Sequence, residues 1–364
     1  MGIPILLDYS WFIIFIILTF QLAQLGYQEY GPQLGGIVMR YFLSGATAIL
    51  LFVSILLHEL GHSFVALRKG IVIRSITLFI FGGVAETTEE PRTATEEFEI
   101  AAAGPLVSVA IAAVAWSLIT LNPLLGIPVW LYFILYYIAE VNITVVLFNM
   151  IPGFPLDGGR IFRAILWKFT GNLRTSTHVA SNMGKWVGYF MIFVGFILVF
   201  KGYINGLFLI LIGFFLVQAA KSSYQQLLIR SALSGVKVQE VMSSPVTSVY
   251  SWFTLDELIN DYFLRYRYSS FPVMDDGILK GYVTMHDAKE IPRMEWMKKR
   301  VLDILRPVEQ GCVVTEDVDA VEALTKMIRS DNHKLIVTQD GTAVGIVTLR
   351  DLMALFKMKT DLGS

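Results

Sequence analysis

The sequence predicts a multi-pass α-helical membrane domain with a short membrane-associated β segment, followed by a soluble α/β domain. Three observations carry this. Only 16% of the 364 residues are charged and 55% are hydrophobic, with a mean hydropathy of +0.60, whereas a soluble domain carries about a quarter charged residues. The apolar residues gather in long runs before residue 221. From 236 to 358 the charge density is ordinary, and short strand-like and helix-like stretches alternate.

The net charge of −1 leaves no basic stripe to neutralise phosphates, which argues against nucleic acid as a partner. Cys312 is the single cysteine, so an intrachain disulfide and a cysteine-based zinc cluster are both excluded. That usage fits a site facing a reducing compartment. The first apolar run lacks a basic start and a small-residue cleavage site, so it reads as a retained helix rather than a signal peptide.

A helix needs about 20 apolar residues to cross the hydrocarbon. Six segments qualify or nearly do: Tyr9 to Leu25, Tyr41 to Leu67, Glu99 to Leu121, Trp130 to Met150, Lys185 to Phe200 and Tyr203 to Ala219. The first and fifth are on the short side. Basic residues follow segments two (Arg68, Lys69, Arg74), four (Arg160, Arg163, Lys168, Arg174) and six (Lys221, Arg230). The opposite loops hold only Arg40 and Lys201. By the positive-inside rule both termini and the soluble domain are expected in the cytoplasm. Residues 1–221 are the expected membrane domain and 222–235 a polar helical linker.

Ile71 to Glu86 is rich in Ile, Val, Thr and Phe and contains the turn signal Phe81-Gly82-Gly83. This is strand chemistry, too short to span as a helix. A strand edge is not tolerated in lipid, so the stretch is either covered by protein, lines a cavity or sits at the interface. A simple cytoplasmic hairpin fits the residues equally well.

Segment two contains His58-Glu59-Leu60-Gly61-His62. Histidines at i and i+4 share one helix face, so both imidazoles can reach one Zn²⁺, with the intervening Glu59 placed as general base. Three ionisable groups inside an apolar span are expensive and mark function more often than a satisfied helix–helix contact. A catalytic zinc takes a third protein ligand. Asp157, at the cytoplasmic end of segment four, has a compatible depth, because Pro152 and Pro155 break the helix there and the neighbouring glycines let the chain turn. Glu140 lies about 25 Å further along the same helix and is rejected. Glu86, Glu96, Glu97 and Glu99 are weaker rivals. His178, His286 and His333 read as surface histidines.

His58-Glu59-x-x-His62 in a membrane helix, followed by Asn149-x-x-Pro152-x-x-x-x-Asp157-Gly158, resembles the site-2 protease family of intramembrane zinc metalloproteases. Ala102–Pro105 and Gly82-Gly83 resemble it too, and the likeness covers most of residues 1–220. It implies His58, His62 and Asp157 as zinc ligands, Glu59 as base and acid, and Asn149 as a contact to substrate or the developing oxyanion. Asn142 either joins Asn149 or makes an interhelical hydrogen bond. The family acts on transmembrane helices, so the implied partners are a transmembrane protein substrate and the lipid bilayer. A prokaryotic plasma membrane is the simplest location.

In the soluble half, Gly281-Tyr-Val-Thr284-Met-His-Asp287 recurs 64 residues later as Gly345-Ile-Val-Thr348-Leu-Arg-Asp351. Each copy follows an Asp-Gly turn, which makes one β-α-β-β-α unit used twice, at 236–291 and 299–358. The pattern resembles a pair of CBS domains. That likeness implies an adenine nucleotide, ATP or AMP, with Thr284, Asp287, Thr348 and Asp351 as contacts to ribose and phosphate, and a homodimer through the pair. The alternative for each Thr–Asp couple is a helix cap. Where Phe271-Pro272-Val273 stands in the first copy, the second has Leu335-Ile336-Val337 and lacks the usual proline, so one site is expected to be empty.

The two resemblances together imply an intramembrane zinc endopeptidase modulated by nucleotide. The competing reading is a membrane transporter or channel gated by the CBS pair, with the His/Asp cluster as an ion path.

Overall fold

The computed structural model describes residues 2–80, 82–87, 90–307, 312–330 and 332–362; Phe81 of the expected turn lies outside them. The chain divides into two compact units, residues 1–225 and 226–364.

The first unit is helical: α1 (Tyr9–Tyr30), α2 (Ile37–Arg68), α3 (Ala94–Thr120), a single turn α4 (Asn122–Leu125), α5 (Val129–Asn149), α6 (Asp157–Thr170), α7 (Leu173–Phe200) and α8 (Asn205–Leu233). Among the described residues, six of these are long and apolar enough to cross a membrane, all but α4 and α6. The expectation that segments one and five are short is corrected. Helix α1 has 22 residues and α7 has 28. Apolarity in α7 begins late, but its polar first turns are helical because the Asn172 side chain accepts from Thr175 N at 3.0 Å and caps them. Helix α8 runs without interruption to Leu233, so the polar stretch after Ala219 is its last part.

The β segment is a hairpin, β2 (Ile73–Phe79) and β3 (Gly82–Thr87), joined by β1 (Ile5–Leu7) in the order β1-β2-β3. Strand β1 pairs parallel with β2, Ile5 opposite Ile76, and β2 pairs antiparallel with β3. Strand β2 is therefore interior, and β1 and β3 are the edges. Ile73, Ile76 and Ile71 are buried with Ile100 and Ala66, so the hairpin packs on α2 and α3. Helix α3 also packs against α5 and α6. A second apolar cluster, with Leu22, Leu43, Leu51 and Phe133, joins α1, α2 and α5. Between α7 and α8, Gly188 faces Gly213 and Gly195 faces Gly206, which lets the two backbones approach as closely as packing in lipid favours.

The second unit holds two three-stranded sheets, β4 (Ser270–Asp275), β5 (Ile278–Thr284), β6 (Arg306–Pro307) and β7 (Val313–Thr315), β8 (Lys334–Gln339), β9 (Thr342–Thr348). The second copy of the repeat has all its parts, with α12 (Ala320–Arg329) and α13 (Leu349–Asp361). The first copy departs from the expected unit. Its leading strand is reduced to one parallel bridge, Val249 to Val273. Its first helix is split into α9 (Leu255–Glu257), a π turn (Leu258–Phe263) and α10 (Leu264–Tyr266), and its last is α11 (Met285–Lys289). Leu255, Leu258, Phe263 and Phe271 still form a closed core, so the apolar pattern survives the irregular hydrogen bonding.

Candidate metal centre

Two helices bring His58, His62 and Asp157 together, with their donor atoms all within 4.8 Å of one another. The histidines lie one turn apart on α2, and their Nε2 atoms are 3.2 Å apart. Asp157 is the first residue of α6, delivered there by the 150–156 turn. Its Oδ2 is 3.1 Å from His58 Nε2 and its Oδ1 is 3.3 Å from His62 Nε2. Both histidines are buried.

The remaining ring nitrogens fix what these atoms can do. His62 Nδ1 is 2.7 Å from Ile100 O, and a carbonyl only accepts, so Nδ1 carries the proton. His58 Nδ1 lies 3.0 Å from Ser108 Oγ. With Nδ1 as its donor, a neutral His62 presents Nε2 as a bare lone pair beside an acceptor-only carboxylate, and His58 does the same in the tautomer whose Nδ1 donates to Ser108. Donor atoms gathered this closely in a largely buried place form a set that could hold a cation. The spacing suits zinc, whose tetrahedral N and O ligands at ~2.0–2.1 Å stand about 3.3 Å from one another. Backbone and hydroxyl partners on the far nitrogens are the outer shell such a metal site uses.

Room beside the two Nε2 atoms comes from Gly104 of α3. A Cβ on it would overlap His62 Nε2 and stand 2.7 Å from His58 Nε2. Glu97, Ile100, Gly104 and Ser108 form one stripe of α3 at helical spacing. The sequence reading missed this stripe as a functional feature, although small and polar residues every three or four positions in an apolar helix were its visible signal.

Glu59 turns toward β3. A Cβ on Gly83 would stand 3.2 Å from Glu59 Oε1, so the edge strand passes directly over this carboxylate. A cavity of about 410 Å³ opens here, lined by His58, Glu59, His62, Asp157, Asn149 and Arg160, with Gly83, Val84, Ala85 and Thr87 of β3 along one side. Asn149 thus lies with the ligand set. Asn142 does not: it donates to Ser54 Oγ (3.1 Å) and Ile138 O (2.8 Å) as an interhelical tie. The rival carboxylates are engaged elsewhere, Glu86 with Arg74, Glu97 with Arg163 and Glu99 with Lys69, while Glu96 accepts from Arg92 N.

In the second unit Thr284 and Asp287 form a reciprocal capping box on α11, and Thr348 and Asp351 form the same box on α13. The two differ in what surrounds them. Asp287 Oδ2 accepts from Thr284, and its Oδ1 is taken by the Arg306 guanidinium, whose Nε donates at 2.9 Å. Asp351 and Thr348 instead border a cavity of about 480 Å³ with Thr247, Arg267, His333 and Lys334. Burial holds the Lys334 ammonium below its ordinary pKa.

Residues 46–125 and 126–195 match Peptidase family M50, and residues 238–293 and 295–357 match the CBS domain. A zinc metalloprotease of Methanocaldococcus jannaschii is 32% identical over 367 residues, covering 100% of this chain and 96% of that protein. A Synechocystis protein whose name classes it among zinc metalloproteases is 31% identical over 350 residues, covering 95% of this chain and 91% of its own. Among solved structures, a site-2 protease from Methanocaldococcus jannaschii is 35% identical, with 62% of this chain and 92% of that chain covered and a TM-score of 0.42.

The chain belongs to peptidase family M50, the zinc metalloproteases of site-2 type. It is an integral membrane metalloprotease with two CBS domains after its helices. The transporter reading gives way to the enzyme, since relatives along nearly the whole chain are zinc metalloproteases.

Proposed function

We propose that this metalloprotease cuts transmembrane segments of other membrane proteins within or at the edge of the bilayer, with His58, His62 and Asp157 holding Zn²⁺ and Glu59 moving the proton. The observation that carries this is the convergence of two buried histidines and the part-buried Asp157 carboxylate on a cavity that also contains Glu59 and a strand edge. Bound zinc supplies a Lewis acid that acidifies water and polarises a carbonyl.

Glu59 accepts the proton of the attacking water and returns it to the leaving amine, both at a carboxylate oxygen beside Gly83. The Asn149 side-chain amide donates to the substrate carbonyl as its oxygen gains charge. A substrate helix hides its carbonyls in its own hydrogen bonds and must unwind to react. The outer edge of β3, unpaired among the described residues, offers main-chain partners to the unwound segment.

The basic residues that follow the apolar runs of α2, α5 and α8 favour a cytoplasmic position for both termini and for the CBS domains, in a prokaryotic plasma membrane. Residues 1–221 would then act as protease, 222–235 as linker, and 236–291 with 299–358 as the regulatory pair, which also suits a homodimer. ATP or AMP would enter beside Thr348 and Asp351, where the cavity lies. Thr284 and Asp287 would need Arg306 to leave first.

The test is zinc content and substrate cleavage in detergent-purified protein. Wild type is expected to carry about one zinc per chain, Asp157→Ala to lose it, and Glu59→Gln to keep it while losing cleavage. A folded wild type that takes up no zinc when the metal is offered would end this reading.

A further inference from the structure

Glu97 and Arg163 form a buried ion pair between α3 and α6. Glu97, in the first turn of α3, is fully buried, and Arg163 on α6 is 7% exposed. Arg163 Nε donates to Glu97 Oε1 at 2.6 Å, and Nη2 contacts the same oxygen. The guanidinium also lies 4.9 Å from the centre of the Phe154 ring, in the turn that leads into Asp157. Its Nη1 is 3.5 Å from Thr177 Oγ1 on α7. Glu97 Oε2 has no hydrogen-bond partner among the described residues.

Stability does not account for such a pair. Removing two charges from water costs much of what their attraction returns, and apolar residues of similar size often serve as well. Fixing a register is the better-attested use. The position of the pair agrees with that. Glu97 starts the stripe of α3 that continues with the Ile100 carbonyl on His62, the space at Gly104 and the Ser108 hydroxyl on His58. Arg163 lies on the helix that Asp157 opens, about 9 Å further along. One helix thus touches both histidines directly and reaches the helix of the third ligand through the ion pair.

We propose that the Glu97–Arg163 pair is a positioning device for the metal centre, holding α6 at the register on α3 where the Asp157 carboxylate meets the two imidazoles. Neither residue touches metal or substrate; both act through Asp157. This rests on the reading of His58, His62 and Asp157 as the ligands.

The experiment is a double-mutant cycle on zinc affinity, by chelator competition with the full chain in detergent and a zinc range wide enough for weak sites. Glu97→Gln is expected to weaken zinc by about 10- to 100-fold, the range of outer-shell substitutions. Asp157→Asn weakens it further, and Glu97→Gln/Asp157→Asn should match Asp157→Asn alone, because the second loss removes what the first one acts through. Arg163→Lys keeps the charge but not the fork, so a smaller loss is expected; it carries the test if Glu97→Gln does not fold. Unchanged affinity in the folded single variants, or full multiplication of the two losses in the double variant, would overturn the proposal. A wild type without zinc would instead sink the ligand assignment on which it stands.

Discussion

Gly104 stands against the Nε2 atoms of His58 and His62 so closely that a methyl group on it would occupy the space between them. The residue is on a different helix from both histidines, and its missing side chain leaves the space between their Nε2 atoms open.

Gly104→Ala should therefore empty the site without touching a ligand. Zinc affinity is expected to fall by about 100-fold or more, with cleavage lost in parallel, since the methyl lies inside the coordination space rather than in the outer shell. Ser108→Ala is the milder companion, with about a 10-fold weaker zinc from the loss of the partner of His58 Nδ1. Zinc content after dialysis against a chelator checks both. Gly104→Ala protein with wild-type zinc would refute the spatial argument.

Edge pairing predicts a contrast between neighbours on β3. Successive residues of a strand aim their N–H groups in opposite directions, so of Val84→Pro and Ala85→Pro one removes a bond to β2 and the other an N–H on the outer edge. The outer-edge variant should keep zinc and lose cleavage of a helical substrate by about 10-fold or more, as expected when positioning contacts are removed. Prolines in β2 would instead break a strand paired on both sides. Full cleavage by both β3 variants would rule out substrate addition to this edge.

Nucleotide binding should be asymmetric. Titration of ATP or AMP into the full chain is expected to give one site per chain, abolished by Asp351→Ala and kept in Asp287→Ala. Arg306→Ala frees Asp287 Oδ1 and should raise the number of sites to two. Two sites in the wild type would show that Arg306 does not close the first one.

The same ion pair sets a pH dependence. Burial alone would raise the Asp287 pKa, but hydrogen bonds from Arg306 and Thr284 outweigh it and hold the carboxyl below its ordinary value. A depressed carboxylate stabilises the fold above the ordinary aspartate range and loses that contribution as pH falls through the native value. Amide exchange around α11 should be slower in wild type than in Arg306→Ala near neutral pH. The difference should shrink below about pH 4. A difference that persists unchanged into acid would mean the arginine acts through packing alone.

Much of this was legible in the sequence because it is local. The i, i+4 histidines with Glu59 between them sit on one helix, so spacing alone puts them on one face. The six apolar runs, the 64-residue repeat and the two Thr–Asp caps are likewise written in neighbouring residues. Less visible were the helix ends, where a polar first turn such as that of α7 carries no apolar signal. Strand β1 was also hidden: three residues that earn their structure from Ile76 to Leu78, far along the chain.

The sequence by itself determined that this is a membrane metalloprotease of the M50 family with a CBS pair, and which residues could serve as metal donors. Only the tertiary structure decided that α3 stands against both histidines. Ile100, Gly104 and Ser108 are an ordinary apolar, small and polar residue when read along the chain. Their roles depend on which helix packs against theirs and at what height. The same holds for Asp287 and Asp351, which share a Gly-x-Val-Thr-x-x-Asp pattern and a capping box but diverge because Arg306 reaches one of them. Periodicity fixes which face a side chain occupies; what stands opposite that face is set by packing between segments distant in sequence, and no local pattern encodes it.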